Sequence, residues 1–202
     1  MKQCLIIGKA NAGKTLLLIN LAEFLGARSL RLSLERSDGS LSEGAFSLSE
    51  ARKSLVDAAP HKTLGLQTLT LSLPSGKTVR RVQLTDSPGL SEDIHEAAEV
   101  RRSMAQTLRH LRLAGMVLHV MDAAQVGEAG SVEAMGEVDL QIAAYAPHRG
   151  PYAVLANKMD LPLAKPGLQA IQRACRGHLI IPVSALEKKG LREVRSFVWR
   201  YA

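Results

Sequence analysis

One octapeptide limits the fold of this chain more than any other stretch: GKANAGKT, residues 8–15. Apolar Leu5, Ile6 and Ile7 run into it, and a segment with apolar residues at Leu16, Leu17, Leu21 and Phe24 runs out of it. The spacing predicts a strand, a glycine-pinned turn and a helix over 15–25, in that order. Gly8 and Gly13 let the backbone curl until successive N–H groups converge, and the helix start adds partial positive charge. A phosphate chain fits such a cradle. Gly8, Lys9, Ala10, Asn11, Ala12 and Gly13 supply backbone, the Lys14 ammonium reaches β- and γ-phosphate oxygens, and the Thr15 hydroxyl is a ligand for Mg²⁺.

The rest of the chain repeats the alternation. Strands are predicted over 3–7, 66–73, 79–85, 116–121, 152–156 and 179–183, and helices over 92–113, 132–145 and 191–201. Strands alternating with helices imply an α/β fold with a mainly parallel sheet and helices on both faces. The turn PSGK, 74–77, joins two strands without a helix, which predicts an antiparallel hairpin at one edge and a mixed sheet. Residues 26–62 are less regular. SLRLSLE alternates like a strand, RSDGSLSEG carries turn chemistry, and SLSEARKSLVDAA offers a Ser47/Glu50 capping box and a short helix.

The 202 residues suit one domain, and 46% apolar with 22% charged residues is a globular balance. Cys4 and Cys175 stand far apart with no metal-ligand spacing, so neither zinc nor a disulfide framework is expected. No apolar run approaches the roughly 20 residues that cross a bilayer, and the N-terminus lacks a signal-like apolar stretch, so the expected location is cytoplasmic. A net charge of +7 favours polyanionic neighbours, while 3% aromatic residues leave little for a base-stacking platform. Phosphate contacts would dominate any nucleic-acid binding. Of the six histidines, His95 beside Asp93 and Glu96 comes nearest to a ligand grouping and is read as a surface residue.

Three later strand ends carry further chemistry. In LTDSPGL, Asp86 can hold Mg²⁺ through water, and the Gly89 amide can donate to a γ-phosphate oxygen without a side chain in the way. In VLANKMDLP, Asp160 presents two acceptor oxygens to the N1–H and exocyclic amine of guanine, a donor pair that adenine lacks. Lys158 can lay its stem on the purine, and Asn157 can tie this loop to the first. In IPVSALEKKGL, Ser184 and Ala185 follow the last strand, with the Ala185 amide placed for guanine O6.

GKANAGKT, DSPG, NKMD and SAL, in this order, resemble the guanine-nucleotide motifs of the translation-factor-related P-loop GTPases, in particular their Era/TrmE-like branch, over residues 2–202. The resemblance implies a P-loop NTPase three-layer sandwich with a six-stranded sheet in the order 2-3-1-4-5-6, the second strand antiparallel, and GTP/GDP with Mg²⁺ at the carboxyl ends of the strands. Leu90 follows Gly89 where Ras-like proteins place a water-orienting glutamine, and leucine cannot polarise water. Asn11 resembles the asparagine that coordinates K⁺ in potassium-activated relatives. The resemblance further implies a threonine closing over Mg²⁺. Thr63 is favoured by counting back from the hairpin, with Thr68 and Thr70 also nearby, and residues 26–65 then form an enlarged first switch. The implied catalytic set is Lys14, Asn11, Thr63 and Gly89. The implied metal set is Thr15, Thr63 and Asp86, with Asn11 for K⁺.

Two functions follow from these expectations. One is a slow Mg²⁺-dependent GTPase switch, possible stimulation by K⁺ included, with an effector protein to be identified. The other is a nucleotide-dependent adaptor with negligible hydrolysis. RNA or ribosome contact would use Arg101, Arg102, Arg109 and Arg112, or Arg192 and Arg195 beside Trp199 on the terminal helix. Related GTPases also dimerise through their switches.

Overall fold

A computed structural model describes residues 2–56, 65–75, 78–92, 96–129 and 135–202. Thr63, His61 and His95 lie outside these residues, as do residues 76–77 of the predicted hairpin turn.

Strand β1 (Lys2–Ile7) sits at the centre of the sheet, parallel to β5 (Thr78–Asp86) on one side and β6 (Met116–Asp122) on the other. Parallel β7 (Tyr152–Asn157) and β8 (Leu179–Pro182) follow β6. β4 (Gly65–Ser75) pairs antiparallel with β5, in a register that sets Leu69 against Leu84 and Gln67 against Asp86. These six strands stand in the expected order. Strands buried on both faces need unbroken apolar runs, and β1 supplies one: Cys4 and Ile6 face one core, Leu5 and Ile7 the other.

The sheet has eight strands, not six, because residues 29–47 form a further antiparallel hairpin, β2 (Ser29–Arg36) and β3 (Leu41–Ser47). β2 pairs with β4, so β4 is internal and β3 is the edge. Residues 41–44 were expected as turn but belong to β3. The turn is confined to residues 37–40, where Asp38 Oδ1 accepts the Ser40 amide at 2.8 Å. The capping box forms as expected: Ser47 Oγ accepts the Glu50 amide at 3.2 Å, and Glu50 Oε2 accepts the Ser47 amide at 2.8 Å, opening α2 (Leu48–Leu55).

Helices α1 (Lys14–Phe24), α2 and α7 (Leu191–Tyr201) cover one face. Helices α3 (Ala98–Leu113), α4 (Ala123–Ala129), α5 (Gly136–Tyr145) and α6 (Ala164–Ala174) cover the other. α3 starts later than the predicted 92, α5 is described from Gly136, and α4 and α6 are additions to the sequence reading. Trp199 is half-packed rather than part of an open stripe. It is half-buried against the α1-side core, and the Arg80 guanidinium lies 5.9 Å from its ring centroid. No helix among the described residues is long and apolar enough to cross a membrane.

Candidate nucleotide site

The loop after β1 keeps the conformation its glycines permit. Gly13 adopts φ 91°, and a Cβ there would strike the Asn157 side-chain amide. Gly89 is pressed equally close to the same loop, since a Cβ on it would lie 2.6 Å from Ala10 Cα. Between them, the Leu90 amide donates to Gly8 O at 3.2 Å and the Ala10 amide to Leu90 O at 3.1 Å. The DSPG segment is thereby stitched along the first loop. The Leu90 side chain, 3% exposed, enters the core beside α3 and α5 and turns away from the loop.

Lys14 is 6% exposed and donates from Nζ to Lys9 O at 2.6 Å. Burial pushes its ammonium down to about 8, with Asp86 and Asp139 pulling the other way. Thr15 Oγ1 donates to Asp86 Oδ2 at 2.6 Å, so the two expected Mg²⁺ ligands on separate elements meet directly. Asp86 is fully buried, and that burial lifts its carboxyl to about 6 against Lys14, the Thr15 hydroxyl and the Ser87 amide. Its Oδ1 has no hydrogen-bond partner among the described residues.

A second orphaned oxygen stands next to it. Gln67 is directly opposite Asp86 in the β4–β5 ladder, so both side chains leave the sheet on the α1 face, and Gln67 Oε1 is also buried without a described partner. The Thr15 hydroxyl, the Asp86 carboxylate with its unsatisfied Oδ1 and the unsatisfied Gln67 Oε1 form a donor set that fits a hydrated Mg²⁺. Gln67 escaped the sequence reading because it looks like one more alternating strand residue. Thr68 and Thr70 are within β4, with Thr68 Oγ1 3.1 Å from Thr85 Oγ1.

The remaining loops converge through Asn157. Its Nδ2 donates to Ala12 O at 2.7 Å, and its Oδ1 accepts the Ala185 amide at 2.9 Å, so one side chain joins the loops after β1, β7 and β8. Here the structure departs from expectation. The Ala185 N–H assigned to guanine O6 is already held by Asn157, and reaching a base requires sharing it. Asp160 Oδ1 accepts the Ser184 hydroxyl at 2.5 Å. Lys158, in the left-handed region at φ 64°, reaches Asp122 Oδ2 at 2.6 Å, while Asp122 Oδ1 accepts the Ala124 and Gln125 amides at the start of α4. Asp122 thus anchors Lys158, a role the sequence reading did not assign.

Two loop residues behave differently from the rest. The Lys9 side chain leaves the loop for Glu92 (2.7 Å), Met135 O (3.0 Å) and Asp139 (4.0 Å), so only its backbone stays at the site. Asn11 is exposed at φ 60° on the wall of a 560 Å³ cleft that also touches Asp122 and Gln125. His119, not singled out from the sequence, is fully buried: Nε2 lies 2.9 Å from Asp139 Oδ1 and Nδ1 2.9 Å from Tyr152 Oη. A neutral ring that donates Nε2–H to Asp139 and accepts the tyrosine proton pairs every group. A histidine inside the apolar run MVLHVMD was its only sequence signal. No cluster of three or more His, Cys, Asp or Glu suited to a metal occurs among the described residues.

The architecture recurs in solved structures. Era bound to MgGDPNP and a 16S ribosomal RNA fragment superposes with a TM-score of 0.65 at 22% identity, over 99% of this chain and 56% of that one. The G domain of the T. maritima FeoB iron transporter does so at 0.56 and 16% identity, over 100% and 98%. Both likenesses concern the fold. Among curated proteins, GTPase Obg of Aquifex aeolicus is 29% identical over 125 residues, 60% of this chain and 36% of its own length. GTPase Obg of Desulfatibacillum aliphaticivorans is 28% identical over 146 residues, 71% of this chain and 42% of its own. The chain therefore spans about two fifths or less of these relatives. The family described as 50S ribosome-binding GTPase matches residues 45–158, more than half of the chain, a span that holds DSPG and Asn157–Lys158 and begins after the GKANAGKT loop. The chain belongs to this family of P-loop GTPases.

Proposed function

We propose that residues 1–202 act as one G domain that binds GTP and GDP and hydrolyses GTP slowly in the presence of Mg²⁺, switching conformation between the two states. The observation that carries this reading is the single Asn157 side chain spanning Ala12 and Ala185. It draws the phosphate loop and both base loops to one end of the sheet. In this reading residues 8–15 enclose the phosphates, and Lys14 exchanges Lys9 O for β/γ oxygens. Thr15, Asp86 and Thr63 would hold Mg²⁺, with Asp86 acting through water and Gln67 Oε1 accepting a hydrogen bond from that hydration shell. The metal supplies charge neutralisation of the β/γ oxygens. Gly89 N–H meets the γ-phosphate. Asp160, set by Ser184, selects guanine, Lys158 flanks the ring, and Ala185 shares its amide with O6.

Hydrolysis transfers the γ-phosphoryl to water, and nothing at position 90 orients that water, so turnover is slow. Single-turnover phosphate release from Mg²⁺·GTP tests this. Measurable hydrolysis that Asp86→Asn reduces about a hundredfold supports it, and tight binding with no release supports the adaptor reading instead. Asn11 is proposed to hold K⁺ beside the phosphates. Replacing K⁺ by Na⁺ should slow release, and an unchanged rate removes Asn11 from the mechanism. Contact with ribosomal RNA, seen in the solved Era complex, is proposed for the arginine face of α3. A nucleotide-dependent dimer is a further state of the same switch.

A further inference from the structure

We infer that Arg52, on α2 of the segment that enlarges the first switch, is a positioning residue for base selection. This rests on the reading of Asp160 as the guanine-selecting group. Arg52 donates from Nε and Nη2 to Asn20 Oδ1 at 3.1 and 2.8 Å. Asn20, in α1 and 2% exposed, donates from Nδ2 to Ala185 O at 2.6 Å. The amide orientation is fixed by its partners, because a flipped Asn20 would set NH₂ against guanidinium and carbonyl against carbonyl. The residue before Ala185 is Ser184, whose hydroxyl donates to Asp160. A continuous path therefore runs from α2 through Asn20 and the 184–185 backbone to the carboxylate that reads the base.

A second tie runs in parallel. Glu23 in α1 pairs with Arg52 and, at 2.7 Å, with Lys188 of the base loop. The Lys188 contact, helped by Arg52, holds the Glu23 carboxyl below its usual range. Arg52, Asn20, Glu23 and Lys188 all lie outside residues 8–15, whose tie to Ala185 is made separately by Asn157. Loss of the Arg52 path should loosen the base loop while leaving the phosphate cradle intact, and a displacement of the 26–56 segment should be felt at the base.

The test compares Arg52→Met with Lys53→Met, which removes the same charge from an exposed position on the same helix. Affinities are measured for GTP and for ITP, whose base lacks the exocyclic amine and so forgoes one of the two Asp160 contacts. Arg52→Met should weaken GTP about tenfold and ITP no more than about twofold, collapsing the GTP:ITP ratio, with Lys53→Met unchanged. Equal loss for both nucleotides, or no loss, overturns the inference. Hydrogen exchange of the nucleotide-free protein adds an independent arm: the Ser184, Ala185 and Lys189 amides should exchange faster in Arg52→Met only. Unchanged protection there overturns it too. A wild type that does not prefer GTP to ITP defeats the reading of Asp160 itself, and the exchange arm still decides whether Arg52 holds the loop.

Discussion

At the scale of single residues, Lys14 and Asp86 carry the tension of the site. Between pH about 6 and about 8 both are charged in a buried place. Lys14 has its folded pKa depressed, so from about 8 up to its ordinary value of 10.5 the unfolded chain binds more protons, and stability contributed at this site rises with pH. Asp86 works in the opposite sense: from 3.8 to about 6 the folded chain holds the extra proton, and stability falls as pH rises through that window. In the proposed complex, polyphosphate binding would restore the Lys14 charge. Calorimetry near pH 9 in buffers of different ionisation enthalpy should therefore show net proton uptake on GTP binding, and buffer-independent heats would refute it. Lys14→Met should remove nucleotide affinity and should not raise the melting temperature near pH 7, because the buried Asp86 carboxylate loses its cationic neighbour. The sequence displayed Lys14 plainly, since GKANAGKT has few other uses, whereas DSPG is a commonplace turn and Asp86 gained meaning only from its order among the other motifs. The sequence hid Gln67 and His119, whose significance depends on which strand lies opposite and what packs beneath, and it left the Ala185 amide free where Asn157 in fact occupies it.

At the scale of elements, the periodic signals were legible where apolar side chains were large. β1, α1 and β5–β7 emerged from the sequence within a few residues of their observed bounds. α6 did not, because its buried face is Ala164, Gly167, Ala170 and Ile171, small residues that make a weak apolar stripe. Those residues let α6 lie against α4 at backbone distance: a Cβ on Gly167 would run into Ala123 O. Gly167→Val should thus destabilise the fold by about 2–4 kcal/mol, by overpacking at a site that cannot relax. A denaturant midpoint equal to wild type would show that the helices are free to separate. The β2–β3 hairpin was half legible. SLRLSLE announced a strand, but the Ser-Glu-Gly composition of β3 favours turns, and only pairing with β2 makes it an edge strand.

At the scale of the whole molecule, the net charge of +7 has an uneven address. Arg101, Arg102, Arg109 and Arg112 are exposed along α3, while Trp199 on α7 is covered by Arg80 and offers no open platform. An RNA contact made by such a face relies on phosphates. Its affinity should then fall steeply between about 50 and about 200 mM salt, with a double-logarithmic slope of about −3 to −4 if all four arginines engage. A salt-insensitive complex would contradict a phosphate-driven contact. The β2–β3–α2 segment adds a second large-scale feature. It extends the sheet and reaches the loop after β8 through Asn20, so residues 29–55 and that loop form one connected body on the α1 face.

The most direct measurement is a calorimetric titration of the purified chain with Mg²⁺·GTP and, separately, Mg²⁺·ATP at equal salt. Binding of GTP about a hundredfold or more tighter than ATP, lost in Lys14→Met and in Asp160→Ala, is the predicted result. Equal affinity for the two nucleotides, or a preference for ATP, would contradict the account.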